Sequence, residues 1–223
     1  MKIGVISEGH SDRAVIVNIL IGLTGLDLSD ISPIRPKYKL DETDLAHLPE
    51  NTFGSWTLVR KECIERESID KFLSIEGQDF VVIHMDTAEA DEYGIDRPSK
   101  KSEDYCLNLR ASVIAKINSW FGENISSKIL YAIAIEEINA WILTIYENKD
   151  SSKPLKAKEK LNTLLKKKGL STTSTFDNYL KLSKPFAKKK TIKTRNYLLF
   201  NHSLEEFHNE ITQKVIPRLL TCP

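Results

Sequence analysis

Three short runs of β-forming residues constrain this chain more than any other feature: Lys2-Ile3-Gly4-Val5-Ile6, Asp79-Phe80-Val81-Val82-Ile83-His84-Met85 and Ile129-Leu130-Tyr131-Ala132-Ile133-Ala134-Ile135. The last two are nearly unbroken in apolar character, as strands are when both faces of their sheet are covered. Helical spacing fills the intervals. It runs from Ser11 through Val15, Ile16, Ile19 and Leu20, over residues 58–73 with Ile64, Ile69 and Phe72, over about 102–121, and through Trp141, Leu143 and Tyr146, which read as helix core. Strands alternating with helices predict an α/β fold with a mostly parallel sheet flanked by helices. Pro33 and Pro36 make residues 31–40 read as extended or loop-like.

With 223 residues the chain can bury a substantial core. It has no run of about 18 apolar residues and no signal-peptide pattern, so no membrane and a cytoplasmic location are expected. Cys63, Cys106 and Cys222 are far apart and lack zinc-site spacing, which predicts ordinary reduced thiols. A net charge of +1 conceals a polarity: residues 149–195 hold 15 Lys or Arg against 3 acids, leaving 17 basic and 28 acidic residues elsewhere. A basic segment beside an acidic body can grip phosphates while a metal site does chemistry; the plainer reading is a solvated lysine-rich region. Ser151-Ser152-Lys153-Pro154 marks the boundary, which predicts a catalytic or metal-binding α/β domain over 1–148 and a basic helical extension over 149–223 packing on it. Within the extension, residues 155–168 read as a basic helix and about 204–219 as an amphipathic one.

Each of the three runs ends in acid: Glu8 after the first, Asp86 after the second, Glu136 and Glu137 after the third. In a parallel sheet those ends share one edge, where ligands bind. Carboxylates gathered there repel one another unless a cation neutralises them, and Mg²⁺ or Mn²⁺ suits oxygen ligands. Asp12 either joins them or sits in the first turn of a helix that Ser11 caps. Glu89 and Asp91 are loop acids with either role open. Of Glu136 and Glu137, an extended backbone would point only one at the crevice. His10 and His84 are read as hydrogen-bonded structural residues rather than ligands.

Ile6-Ser7-Glu8-Gly9-His10-Ser11-Asp12 resembles the opening motif of Toprim domains, in which a strand runs into Glu-Gly and an Asp follows. Val82-Ile83-His84-Met85-Asp86 looks like that family's second acidic strand, although Ala88 stands where a strict Asp-x-Asp has its second acid, with Glu89 or Asp91 as substitutes. Ala134-Ile135-Glu136-Glu137-Ile138-Asn139-Ala140-Trp141 and the later Asn201-His202-Ser203-Leu204 with Phe207 are similar to segments of small stand-alone Toprim proteins related to the overcoming-lysogenization-defect (OLD) nucleases. The resemblance implies a Toprim-like fold over residues 1–148 and Mg²⁺- or Mn²⁺-dependent cleavage of nucleic-acid phosphodiesters, in keeping with phage defence. It implies metal ligands among Glu8, Asp12, Asp86, Glu89, Asp91, Glu136 and Glu137, with Glu8 and Asp86 central to catalysis. Lys188, Lys189, Lys190, Lys193 and Arg195 would contact backbone phosphates. The alternative it implies is a non-catalytic module docking on a separate ABC-type ATPase, since the chain has no P-loop of its own; an oligomer is compatible with either. A phosphotransfer domain with Asp86 as nucleophile would need a following Asp-x-Thr, which is missing.

Overall fold

The structure is a computed structural model and describes residues 1–36, 56–123, 125–188, 191–192 and 197–221. The three acid-tipped runs form strands β1 (Lys2–Ile6), β3 (Gln78–Asp86) and β4 (Ile129–Ala134), and β2 (Ile31–Arg35) joins them. All neighbours pair in parallel, in the order β2-β1-β3-β4. Of the residues read as extended or loop-like, 31–35 are thus a strand, and its register against β1 shifts between Val5 and Ile6. An edge position explains the strand, because the outermost strand tolerates a proline such as Pro33 that an inner strand would not.

Alternation along the strands divides the core in two. Val5, Phe80, Val82, Leu130 and Ala132 face one apolar cluster, and Ile6, Val81, Ile83, Met85 and Ile133 face the other. The first cluster is completed by α1 (His10–Thr24), α5 (Asn139–Tyr146), α6 (Ala157–Lys167), α7 (Phe176–Leu182) and α8 (His202–Thr221). The second is completed by α2 (Trp56–Glu65), α3 (Glu67–Leu73) and α4 (Tyr105–Phe121). Helices therefore cover both faces, and the fold is α/β with an all-parallel sheet.

Local chemistry sets the helix ends. The helical pattern over 58–73 is two helices, because Arg66 adopts the left-handed conformation at φ 59°. α1 begins two residues earlier than a Ser11 cap would place it: Gly9, in extended conformation, is the N-cap, and Ser11 lies inside the first turn. In its last turn, α1 passes so close to the 3₁₀ turn Lys184–Ala187 that a Cβ on Gly22 would stand 1.9 Å from the Phe186 carbonyl oxygen. Only glycine fits there.

Residues beyond 148 pack into the same core as the sheet, through Leu161, Tyr179, Phe186, Phe207 and Ile211. Asn201 caps α8, its Oδ1 accepting from Leu204 N at 3.0 Å while its amide donates to Ser151 O at 2.9 Å. Ser203 Oγ accepts from the buried Trp141 indole at 2.8 Å. α8 also seals the β4 edge. Glu210 accepts from Tyr131 N at 3.2 Å and from Arg110 at 2.9 Å, Arg110 donates to Tyr131 O at 3.3 Å, and Lys214 reaches Ile129 O at 3.5 Å. Among the described residues no helix is long and apolar enough to cross a membrane.

Candidate metal centre

In the order β2-β1-β3-β4 the chain leaves β1 to one side and later returns to its other side, so the crevice of an open parallel sheet opens between the C-terminal ends of β1 and β3. Glu8 and Asp86 stand at those two ends. Glu8 Oε1 accepts the backbone N–H of Asp86 at 2.7 Å, and Asp86 Oδ1 accepts the N–H of Ile138, which leads into α5, at 2.9 Å. The Tyr93 hydroxyl secures the same segment by donating to Asp86 O at 3.0 Å. Asp12, in the first turn of α1, folds back over Gly9: its Oδ2 lies 3.0 Å from where a Cβ on Gly9 would be. Glu137 Oε2 accepts from Lys158 N, at the start of α6, at 2.9 Å.

These carboxylates sense one another. Burial pushes Glu8 well above its ordinary range, and the charge of Asp86 and then that of Asp12 add to the rise. Asp86 is also pushed well up, by burial first, then by Asp12 and Glu137, with Glu89 contributing and the Ile138 N–H opposing. Such mutual repulsion in a partly enclosed site is what a bound cation relieves. One oxygen of Glu8, Asp86 and Glu137 accepts a backbone N–H, which restrains each carboxylate and leaves its second oxygen outside that bond.

The other candidates separate from this group. Glu136 has a left-handed backbone, φ 63°, held by its N–H to Thr87 Oγ1 at 2.7 Å, and the chain is not extended there. Its carboxylate turns away to Lys100 at 2.6 Å and Arg97 at 3.4 Å. Asp91 is 77% exposed and faces Arg97 at 3.5 Å. Glu89 is exposed, close enough to affect Asp86 without a hydrogen bond to it. Lys188 is exposed at the end of the 3₁₀ turn; Lys189, Lys190, Lys193 and Arg195 lie outside the described residues. Among the described residues the exposed lysines of α6, including Lys158, Lys160, Lys166 and Lys167, stand on a helix whose first turn donates to Glu137.

Several contributors carry no sequence signal of their own. The N–H groups of Ile138 and Lys158 and the Thr87 hydroxyl act through backbone geometry that residue type does not reveal. Tyr179, whose hydroxyl donates to Asn139 Oδ1 at 2.8 Å, arrives from the extension, and its hydroxyl is pushed up by burial first and, more weakly, by Asp12, Glu137 and Asp86. His84 departs from the reading of a hydrogen-bonded structural histidine. It is fully buried, and neither ring nitrogen makes a hydrogen bond among the described residues, although Nε2 lies 3.2 Å from Asp86 Oδ1.

The donor set fits a hard divalent ion that keeps much of its water. As the side chains stand, no three His, Cys, Asp or Glu groups among the described residues form a ready-made cage. Mg²⁺-type sites use one or two carboxylates with waters and substrate oxygens, so Glu8 and Asp86, with Asp12 and Glu137 around them, meet that requirement. Comparison of the chain with protein-family models, with curated proteins and with solved structures found no match, which leaves the carboxylate geometry as the ground for a functional reading.

Proposed function

We propose that this chain is a Toprim-type, Mg²⁺- or Mn²⁺-dependent enzyme that hydrolyses nucleic-acid phosphodiesters. The observation that carries the reading is the convergence of Glu8 and Asp86 at the sheet's switch point, joined by the 2.7 Å bond and crowded by Asp12 and Glu137. A divalent ion held there supplies a nucleophilic water and charge neutralisation at the departing oxygen. Glu8 and Asp86 would hold such an ion, and Asp12 and Glu137 would orient water beside it. The exposed lysines of α6, a helix about 16 Å long at 1.5 Å of rise per residue whose first turn touches Glu137, would contact backbone phosphates without reading bases.

Incubation of the purified chain with plasmid DNA and with total RNA, in Mg²⁺, Mn²⁺ or EDTA, tests the reading. Cleavage is expected with metal only, and to fall to background in Glu8→Ala and Asp86→Ala. Cutting retained in both variants refutes it. Ala88, in place of a second acid, favours one other reading, a non-catalytic module that docks on a separate ABC-type ATPase. Co-purification of such an ATPase, with no cleavage by the chain or the complex, selects that alternative.

A further inference from the structure

His84 lies in β3 two residues before Asp86, wholly enclosed. Its ring meets that of Trp141 edge-on, with centroids 6.5 Å apart and an angle of 79°. Trp141 is itself fixed, by its 2.8 Å bond to Ser203 and by stacking on Phe207. The imidazole thus rests against a rigid wall with Nε2 directed at Asp86 Oδ1, 3.2 Å away but off the line of a good hydrogen bond. A buried polar group left unmet costs free energy that an apolar side chain of similar size would not. The cost is retained at the one carboxylate whose orientation matters most to the crevice.

Asp86 Oδ1 already accepts from Ile138 N at 2.9 Å. A second donor on the same oxygen would fix the carboxylate plane and leave Oδ2 as the oxygen available to a cation. We propose that His84 is a positioning residue for Asp86: it donates to Oδ1 so that Oδ2 is aimed at the divalent cation. This role rests on the metal reading given under Proposed function. Hydrogen bonds at such sites are commonly misaligned before loading and tighten on it, and partners of metal-binding carboxylates set affinity nearly as strongly as the ligands do.

The test uses the full chain, Mn²⁺ as the probe and the electron paramagnetic resonance signal of the free aqueous ion as readout, with Tm measured in EDTA on the same samples. His84→Leu is expected to leave the metal-free Tm unchanged or higher, because an unmet polar group has been removed, and to weaken Mn²⁺ binding by about 10- to 100-fold. His84→Gln, whose amide nitrogen reaches the place of Nε2, is expected to keep most of the affinity. Should His84→Leu fail to fold, His84→Met carries the same comparison against His84→Gln. A merely structural histidine gives the opposite pattern, a lower Tm with unchanged Mn²⁺ affinity, and that result overturns the role while leaving the metal reading in place. Mn²⁺ binding that is absent in the wild type, or that survives Asp86→Ala, removes both.

Discussion

At the scale of single residues, the site is an electrostatic conflict held in place by backbone amides. Glu8 and Asp86 bind protons more tightly in the folded chain than in the unfolded one. The stability they contribute is therefore full below the ordinary carboxylate range of about pH 4 and is lost as pH rises through their raised values. In EDTA, the Tm of the wild type is expected to fall between pH 4 and pH 8 relative to that of Asp86→Asn, which has no proton to lose, and Mn²⁺ should restore it only at the high end. A difference between the two proteins that does not change with pH counts against the conflict. Which residues meet was partly legible in the sequence: the acids at the ends of β1 and β3 follow from strand patterning alone. The choice between Glu136 and Glu137 was not, because it turns on a left-handed φ at Glu136, and sequence signals for that conformation are strong for glycine and weak for glutamate. His84 escaped for a related reason, since a histidine inside an apolar strand looks the same whether or not its nitrogens are satisfied.

Among the elements, two constraints involve none of the clustered acids. Gly22 allows α1 to touch the turn carrying Phe186. Gly22→Ala is expected to cost about 1–3 kcal/mol through forced separation of the two, measurable by urea denaturation at constant m-value. Glu210 and Arg110, with side chains 10% and 14% exposed, form a pair across the outer margin of β4. Removing one member of such a pair strands the other, so Glu210→Ala should destabilise by about 3 kcal/mol; a loss below about 1 kcal/mol, the scale of an exposed pair, would argue against burial as the cause. Long periodic elements were readable because burial on two faces leaves a strong pattern, as in β3 and β4. The strand at Ile31–Arg35 was legible only as extended or loop-like chain, since Pro33 obscures it and only its place at the sheet's margin excuses the proline. Nor was the division between α2 and α3, where the apolar spacing continues through Arg66 although the backbone turns.

For the molecule as a whole, the basic extension is a structural part of the α/β body: α6, α7 and α8 all contribute side chains to one core with the sheet. Composition signalled a boundary near residue 150 because charge changes there, but charge lies on the surface and says little about which interior the apolar stripe of a helix joins. Deleting residues 202–223 should remove Leu204, Phe207, Ile211 and Val215 from that core and uncover β4. The expected result is a chain that aggregates on size-exclusion chromatography; a monomeric, cooperatively folding product would show the extension to be dispensable. The intact arrangement has a further effect on how the protein can meet others. Outward backbone groups of β4 at Ile129 and Tyr131, and the N–H of Ile135 just past it, are already engaged by Lys214, Glu210, Arg110 and Ser203. A sheet edge occupied in this way is a poor template on that flank for a visiting strand, so recognition of a companion protein there falls chiefly to side chains.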